Sequence, residues 1–250
     1  MTVGVFDSGV GGLTVAKSLI DEKLFDELIY YGDTARVPYG TKDENTIIRY
    51  SLEAVEFFKN FNIDILVVAC NTVSSYALDE MRKIAPFKVV GVIEPGVLSI
   101  TNQNPPKDSD ILVIGTKATV SSGIYKKMLE QKGYTKINQI ETGLFVPLVE
   151  DGVLEGDVMN AMLKHYFKDV KEPDFIILGC THFPLMSKAI RGFFPNTKQV
   201  HSGEAIVDYL NADFEITKAK EPTKIGLFAS SSPDRLKARA AEWLKGSEYR

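Results

Sequence analysis

The sequence predicts an α/β protein with mostly parallel sheets, arranged as two similar halves. Three observations lead to this prediction. Short apolar runs rich in β-branched residues alternate with segments of helical period, a polar stretch with two adjacent prolines interrupts this pattern, and the pattern then starts again. Alternating strands and helices are typical of a parallel sheet with helices on both faces. The second start indicates an internal duplication.

Individual strands are predicted from the short apolar runs, and helices from apolar residues that recur every three or four positions. The predicted strands are Val3–Phe6, Leu28–Tyr31, Ile63–Ala69, Val89–Ile93, Ile111–Ile114, Phe175–Leu178 and Ile225–Phe228. The predicted helices are Leu13–Ile20, Glu44–Phe58, Ile124–Gln131, Val158–Phe167 and Asp234–Leu244.

The polar stretch Asn102–Asp110, which contains Pro105 and Pro106, is the predicted linker between the halves. On either side of it, Val3–Gly9 and Leu112–Ala118 both combine a strand with a polar turn. We therefore expect two facing α/β domains, and the last strand and helix are expected to return to the first of them. The expected division is residues 1–95 plus 208–250 for the first domain and residues 96–207 for the second.

Composition and charge exclude several classes of protein. The 250 residues carry a formal net charge of −4, and no Lys/Arg-rich stripe with interleaved aromatic residues occurs, so nucleic-acid binding is not expected. The amino terminus reaches Asp7 within one short strand, and no apolar stretch approaches the roughly 20 residues of a membrane span. We expect a cytoplasmic protein without a membrane partner, whose thiols stay reduced.

The two cysteines of the sequence stand in matching surroundings. Cys70 ends the apolar run that begins at Ile65, Cys180 ends the run that begins at Phe175, and a polar turn with a threonine follows each. Each thiol is therefore expected at the carboxyl end of a strand and the amino end of a helix, where backbone N–H groups lower a thiol's pKa. Two such thiols suggest two opposed bases around one substrate.

Other interpretations of the cysteines remain open. A free cysteine is most often a small buried apolar residue, and two cysteines in a cytoplasmic protein do not predict a disulfide. Cys70, Cys180 and His182 with a water could form a catalytic zinc site, although neither C-x-x-C nor H-E-x-x-H spacing occurs. The repeated context favours a functional pair, because two structural cysteines have no reason to share the turn that follows them.

Polar residues after other strands are candidates for a binding site. Asp7 can bind an ammonium group, assist a proton transfer or cap a helix, while the glycines of Asp7–Gly12 fit neither a dinucleotide loop nor a P-loop and are expected to allow close packing. The turn Pro38–Gly40 can direct N–H groups at a carboxylate, and Arg36 is either a carboxylate ligand or a surface residue. A cup of neutral donors would suit an anion, and its candidate members are Ser8, Asn71, Thr72, Thr116, Thr119 and Thr181.

The residues resemble the glutamate racemases of the aspartate/glutamate racemase superfamily. The resemblance is carried in order by five stretches: Gly4–Gly12, Tyr31–Gly40, Ala69–Thr72, Val113–Thr119 and Leu178–Pro184. Two positions depart from the family pattern, Val73 where alanine is more usual and Asp43 where serine is more usual. Asp43 can cap the following helix as serine would.

The resemblance implies interconversion of L- and D-glutamate in a cleft between two domains, without metal or other cofactor, to supply D-glutamate for peptidoglycan. It implies that Cys70 deprotonates D-glutamate with help from Asp7, and that Cys180 deprotonates L-glutamate with help from Glu150 and His182. It also implies a homodimer. The substrate ligands that it implies are Asp7, Ser8, Pro38, Tyr39, Gly40, Asn71, Thr72, Thr116, Thr119, Thr181 and His182.

Three alternatives to this function stay open. An aspartate racemase would use the same two-cysteine chemistry on a shorter amino acid. A zinc-dependent hydrolase would use Cys70, Cys180 and His182 as ligands, and a non-catalytic amino-acid-binding protein would keep both thiols as structural residues.

Overall fold

A computed structural model of the chain describes residues 1–214, 216 and 218–245. Within these residues there are two separate sheets, and every strand pair in both sheets is parallel. This arrangement confirms the predicted α/β class. Among the helices of the described residues, none is both long enough and apolar enough to cross a membrane.

Nine strands form the two sheets of the described chain. In order they are β1 (Thr2–Asp7), β2 (Glu27–Gly32), β3 (Ile65–Val68), β4 (Lys88–Gly91), β5 (Asp110–Gly115), β6 (Lys136–Glu141), β7 (Phe175–Gly179), β8 (Lys198–Val200) and β9 (Lys224–Ala229). The first sheet has the order β4-β3-β1-β2-β9 and the second the order β6-β5-β7-β8. β1 and β5 thus occupy corresponding interior positions, as a duplication predicts.

The helices connect these strands and cover both faces of each sheet. They are α1 (Leu13–Asp21), α2 (Glu44–Phe58), α3 (Asn71–Tyr76), α4 (Leu78–Ile84), α5 (Ile93–Thr101), α6 (Lys117–Ser122), α7 (Ile124–Gln131), α8 (Phe145–Glu150), α9 (Asp157–Phe167), α10 (Ser187–Phe193), α11 (Ser202–Asp213) and α12 (Pro233–Trp243). Short 3₁₀ helices lie at Tyr39–Thr41 and Phe183–Met186. At α2, the Asp43 carboxylate accepts a hydrogen bond from the Thr46 amide, so the predicted cap is confirmed.

Four apolar clusters fix the layers. On the first sheet, residues of α1, α11 and α12 pack on one face and residues of α2 and α4 on the other. On the second sheet, residues of α8, α9 and α10 pack on one face and residues of α5 and α7 on the other. Each fully buried leucine or phenylalanine stabilises these layers by about 1.5–3 kcal/mol. We call each sheet with its covering helices the first and the second half.

All seven predicted strands are present, but two strands were not predicted. β6 is a polar edge strand without an apolar run, and β8 has only three residues. Ile93, predicted to end a strand, instead begins α5. β9 pairs with β2, so the last strand does return to the first sheet, and α12 packs against β9 and α1. The exact domain bounds at residues 95 and 208 stay a prediction.

The carboxyl ends of the interior strands place the candidate residues. Asp7 ends β1, Cys70 follows β3 by two positions, Thr116 follows β5, and Cys180 follows β7. In a parallel sheet these ends lie at one edge, which is where open α/β proteins bind ligands. The corresponding edges of the two sheets face one another across a cavity.

Candidate active site

A cavity of about 530 Å³ lies between the two halves. Its volume suits a small-molecule ligand. Residues of both halves line it, among them both cysteines. The lining residues are Ser8, Val37, Pro38, Tyr39, Gly40, Thr41, Cys70, Asn71, Thr72, Thr116, Lys117, Glu141, Gly143, Leu144, Val146, Pro147, Glu150, Tyr166, Gly179, Cys180, Thr181 and His182.

Cys70 lies where the sequence predicts it, at the amino end of α3, and it is buried. Its Sγ lies 3.4 Å from the Ser8 hydroxyl oxygen. Burial, and then the negative charge of Asp7, raise the pKa of the Cys70 thiol to about 12, although Ser8 and the backbone N–H of Val73 oppose the rise. The backbone N–H of Val73, at the amino end of α3, does lower this pKa as expected, but burial outweighs it, so the expected thiolate is not favoured at Cys70. Cys70 is a thiol at neutral pH.

Cys180 begins a chain of three side chains. His182 Nδ1 lies 3.7 Å from Cys180 Sγ, and His182 Nε2 lies 3.1 Å from Glu150 Oε1. Burial opposes the charged imidazole, but the contacts with Cys180 and Glu150 outweigh it and raise the pKa of His182 to about 10. The same contact with His182 lowers the pKa of Glu150 despite partial burial. Near neutral pH the pair is therefore an imidazolium held by a carboxylate.

Asp7 lies behind the cavity wall and does not line the cavity. Its carboxylate accepts hydrogen bonds from the Gly9 amide at 2.9 Å and from the Thr181 hydroxyl at 3.3 Å, and the N-cap of α1 is Gly12 without a side-chain cap. The capping alternative for Asp7 is thus wrong. Burial raises the pKa of Asp7, against the opposing charge of His182. Asp7, which belongs to the Cys70 half, thus contacts Thr181, the residue next to Cys180 in the other half.

Three threonine hydroxyls form a cluster across the two halves. Thr72 Oγ1 lies 2.9 Å from Thr116 Oγ1 and 3.3 Å from Thr119 Oγ1. Gly40 packs directly on this cluster, where a Cβ atom would lie 2.5 Å from Thr116 Cβ. Thr72, Thr116 and Gly40 line the cavity, whereas Thr119 lies behind them. The structure thus gathers these predicted ligands, although Thr119 does not line the cavity.

Asn71 lines the cavity and has its side-chain orientation set by the opposite half. The Tyr125 hydroxyl of α7 donates to Asn71 Oδ1 at 2.7 Å. Asn71 Nδ2 is buried and has no hydrogen-bond partner among the described residues. A buried donor without a partner is costly, and because Asn71 lines the cavity, its Nδ2 is a candidate donor to a molecule bound there. Tyr125 was not predicted, because its apolar helical pattern is that of an ordinary core residue.

Tyr39 and Pro38 line the cavity, but Arg36 does not. The Tyr39 hydroxyl donates to Asp33, and Arg36 Nε donates to the same carboxylate at 2.6 Å while its other nitrogen contacts Glu53. Desolvation and the hydrogen bond to Asp33 both raise the pKa of Tyr39. Of the two interpretations of Arg36, the structure does not favour the carboxylate ligand, since its guanidinium is held within the first half by Asp33 and Glu53.

Several lining residues were not predicted from the sequence. Among them, Lys117 follows β5, Glu141 ends β6, the strand that the apolar pattern did not predict, and four more come after β6: Gly143, Leu144, Val146 and Tyr166. Among the described residues, no group of three or more His, Cys, Asp and Glu side chains could hold a metal ion. The described residues therefore offer no set of metal ligands for the zinc hydrolase alternative.

Comparison with known proteins gives a consistent result. The family model described as Asp/Glu/Hydantoin racemase matches residues 15–210. A glutamate racemase of a Nitratiruptor species is 58% identical over 246 residues, which cover 98% of this chain and 97% of that protein.

Solved structures of similar proteins extend this result to the fold. The crystal structure of glutamate racemase from Campylobacter jejuni subsp. jejuni has a TM-score of 0.97 at 50% identity, with 100% of both chains covered. That of glutamate racemase from Francisella tularensis in complex with D-glutamate has a TM-score of 0.85 at 29% identity, with 98% of this chain and 93% of that chain covered. The chain therefore belongs to the Asp/Glu/Hydantoin racemase family and, within it, to the glutamate racemases.

Proposed function

We propose that the chain interconverts L- and D-glutamate by a two-base mechanism, with Cys70 and Cys180 as the bases. The observation that carries the proposal is that both thiols, each at the carboxyl end of an equivalent strand, line one cavity from opposite halves. Inverting a Cα centre requires removal of the proton from one face and delivery of a proton to the other. Two acid–base groups on opposite sides of the substrate are the minimal arrangement for this.

The two thiols start in different forms. Cys70, whose pKa lies far above neutrality, is the proton donor in the resting protein. The base for L-glutamate is Cys180, whose sulfur lies 3.7 Å from His182 Nδ1. In this form the protein takes the α-proton of L-glutamate with Cys180 while Cys70 delivers a proton to the opposite face. The forms of both thiols are then exchanged, and D-glutamate reacts in the reverse sense.

Auxiliary groups return the thiols to their starting forms. The Glu150–His182 pair lies beside Cys180 and can exchange a proton with it through His182 Nδ1. Asp7 assists Cys70 through its negative charge, which raises the pKa of that thiol and favours its proton-carrying form. The carboxylate reaches the cavity only through its neighbours, so its effect on Cys70 is mainly electrostatic.

Hydrogen-bond donors around the cavity stabilise the carbanion. No imine or metal is part of this mechanism, so charge that develops on the α-carboxylate must be met by preorganised donors. Asn71 Nδ2, which has no partner among the described residues, is the first candidate. Hydroxyls of Ser8, Thr72, Thr116 and Thr181 and backbone groups of Pro38–Gly40 complete the proposed binding site. His182 adds a positive charge near the amino acid.

Several wider features belong to the same proposal. Glutamate rather than aspartate is the proposed substrate, because the similar proteins reported above are glutamate racemases, one of them in complex with D-glutamate. The proposed role is to supply D-glutamate for peptidoglycan in the cytoplasm, with the chain acting as a homodimer and without a cofactor.

The test is proton NMR of the purified protein with L-glutamate in D₂O. We expect loss of the Cα proton signal together with loss of optical rotation, without added cofactor and without inhibition by a chelator. Aspartate in place of glutamate is the matched substrate control and should exchange far more slowly. Exchange that requires pyridoxal phosphate, or that a chelator abolishes, would refute the two-thiol mechanism.

Two variants test the roles of the thiols. Cys70→Ser and Cys180→Ser each remove the acid–base group from one face, so racemisation should fall by about three or more powers of ten in either variant. Circular dichroism of both variants controls for folding. If both folded variants racemise glutamate at the wild-type rate, the cysteines are structural.

A further inference from the structure

The carboxyl-terminal helix α12 connects the first half to the acid–base pair of the second half. α12 packs on β9 and α1, which belong to the first half. Two of its arginines, Arg235 and Arg239, lie four positions apart and therefore on the same helix face. Both contact Glu150, whose helix α8 belongs to the second half. These contacts span 85 and 89 positions of the chain.

Arg239 contacts the end of α8. Its Nη2 donates to the backbone carbonyl of Glu150, the last residue of that helix. The last carbonyl groups of a helix lack partners within the helix and carry partial negative charge, so a guanidinium is favourable there. Arg239 is itself fixed by Glu242 at 2.8 Å and by the Trp243 ring, whose centroid lies 5.8 Å from the guanidinium carbon.

Two further contacts from α12 reach the acid–base pair. Arg235 Nη2 lies 3.4 Å from Glu150 Oε2, whereas His182 contacts the other carboxylate oxygen, Oε1. The Trp243 ring meets the His182 ring edge to face, with centroids 6.2 Å apart. Side chains of one helix thus touch both members of the pair.

We propose that Arg239 is a positioning residue for the racemase reaction, holding the carboxyl end of α8 so that Glu150 keeps His182 beside Cys180. Arg235 and Trp243 support the same arrangement with weaker contacts. The inference rests on the proposed function, since it assigns a role in the chemistry at Cys180. Arg239 does not line the cavity and touches no reacting atom.

The exposed fractions of the two arginine side chains predict which substitution lowers kcat more. The Arg235 side chain is 62% exposed, and an exposed ion pair contributes little. The Arg239 side chain is 25% exposed, and its loss leaves a helix-end carbonyl without its charged donor. We therefore expect Arg239→Met to lower kcat by about tenfold and Arg235→Met by about twofold or less.

The experiment compares Arg239→Met with Arg239→Lys and with Lys237→Met, a substitution at an exposed position of the same helix. Kinetic constants are measured in both directions with α-protonated and α-deuterated glutamate. Cys180 breaks the Cα–H bond of L-glutamate and Cys70 that of D-glutamate. Slower proton transfer at Cys180 should raise the isotope effect on kcat/KM for the L enantiomer and leave unchanged or lower that for the D enantiomer.

A merely structural role would reduce the amount of competent protein and leave both isotope effects unchanged. We expect Lys237→Met to match the wild type and Arg239→Lys, which keeps a donor, to recover part of the loss. Suppose that the wild type racemises glutamate, but Arg239→Met keeps the wild-type kcat or loses activity without any change in isotope effect. Either result would overturn this inference and leave the proposed function standing. A wild-type protein that does not racemise glutamate would overturn the proposed function as well.

Discussion

Gly11 lies in the turn between β1 and α1, where the first half packs against Thr181 and His182 of the second half. A Cβ atom at this position would lie 2.6 Å from His182 Nδ1 and nearer still to the Thr181 hydroxyl. Thr181 has little freedom to move away, because the Thr14 hydroxyl donates to its carbonyl at 2.8 Å and its own hydroxyl donates to Asp7. Gly11→Ala therefore forces a methyl group into a rigid part of the seam between the halves.

The expected cost follows from this overlap. Contacts between non-bonded heavy atoms are favourable near 3.5–4.0 Å, so the neighbouring atoms must move by about 1 Å, and overpacking of this kind costs about 1–3 kcal/mol. For a protein of about 250 residues, each kcal/mol lowers the melting temperature by about 2–4 °C, which gives a decrease of about 2–12 °C. Racemisation should fall by at least about tenfold, because the displaced residues flank Cys180.

Thermal unfolding by circular dichroism and the rate of change of optical rotation with L-glutamate measure the two effects. Gly192→Ala is the matched control: no atom lies within 4 Å of a Cβ built there, and the residue lies in the last turn of α10. It should be neutral or slightly stabilising. A Gly11→Ala protein with the melting temperature and activity of the wild type would refute the reasoning from close packing.

Three further predictions concern single side chains near the cavity. Since folding raises the pKa of His182 from its usual 6.5 to about 10, its stabilising charge is complete below pH 6.5 and is lost as the pH rises toward 10. The melting temperature of the wild type should therefore approach that of His182→Asn over this interval, and parallel curves would contradict it. Tyr125→Phe frees Asn71 to turn its amide, so KM for glutamate should rise by about five- to tenfold with a smaller change in kcat, measured by initial rates. Asp7→Asn should lower kcat more from D to L than from L to D, while kcat/KM falls equally because the enantiomers have equal free energy; equal changes of kcat in both directions would remove the assignment of Asp7 to Cys70.

Features with a local pattern could be predicted from the sequence. The cysteines were found because each follows a buried parallel strand, and Asp43 because a helix cap depends on neighbouring residues. β6 was missed because an edge strand buried on neither face needs no apolar run. The raised pKa of Cys70 was missed because it depends on burial beneath residues distant in sequence.

Residues that act across the two halves could not be predicted for the same reason. Tyr125 meets Asn71 at a separation of 54 positions, and Arg239 meets Glu150 at a separation of 89. Tyr125 has the pattern of a core residue and Arg239 that of a solvated helix face. Only the packing of the halves shows that each has a partner beside the cavity.

Neutral hydroxyl groups hold the seam between the halves near the cavity, beside the charged contacts of Asp7, Arg235 and Arg239 described above. Hydroxyls of Thr14, Thr72, Tyr76 and Tyr125 bridge it to backbone or uncharged side-chain atoms. Each such bond contributes about 0.5–1.5 kcal/mol, so these four bonds together contribute only a few kcal/mol. Neutral bonds are also insensitive to ionic strength. The four hydroxyl contacts therefore keep their strength as the salt concentration changes, whereas the ion pair between Arg235 and Glu150 across the same seam weakens as salt is added.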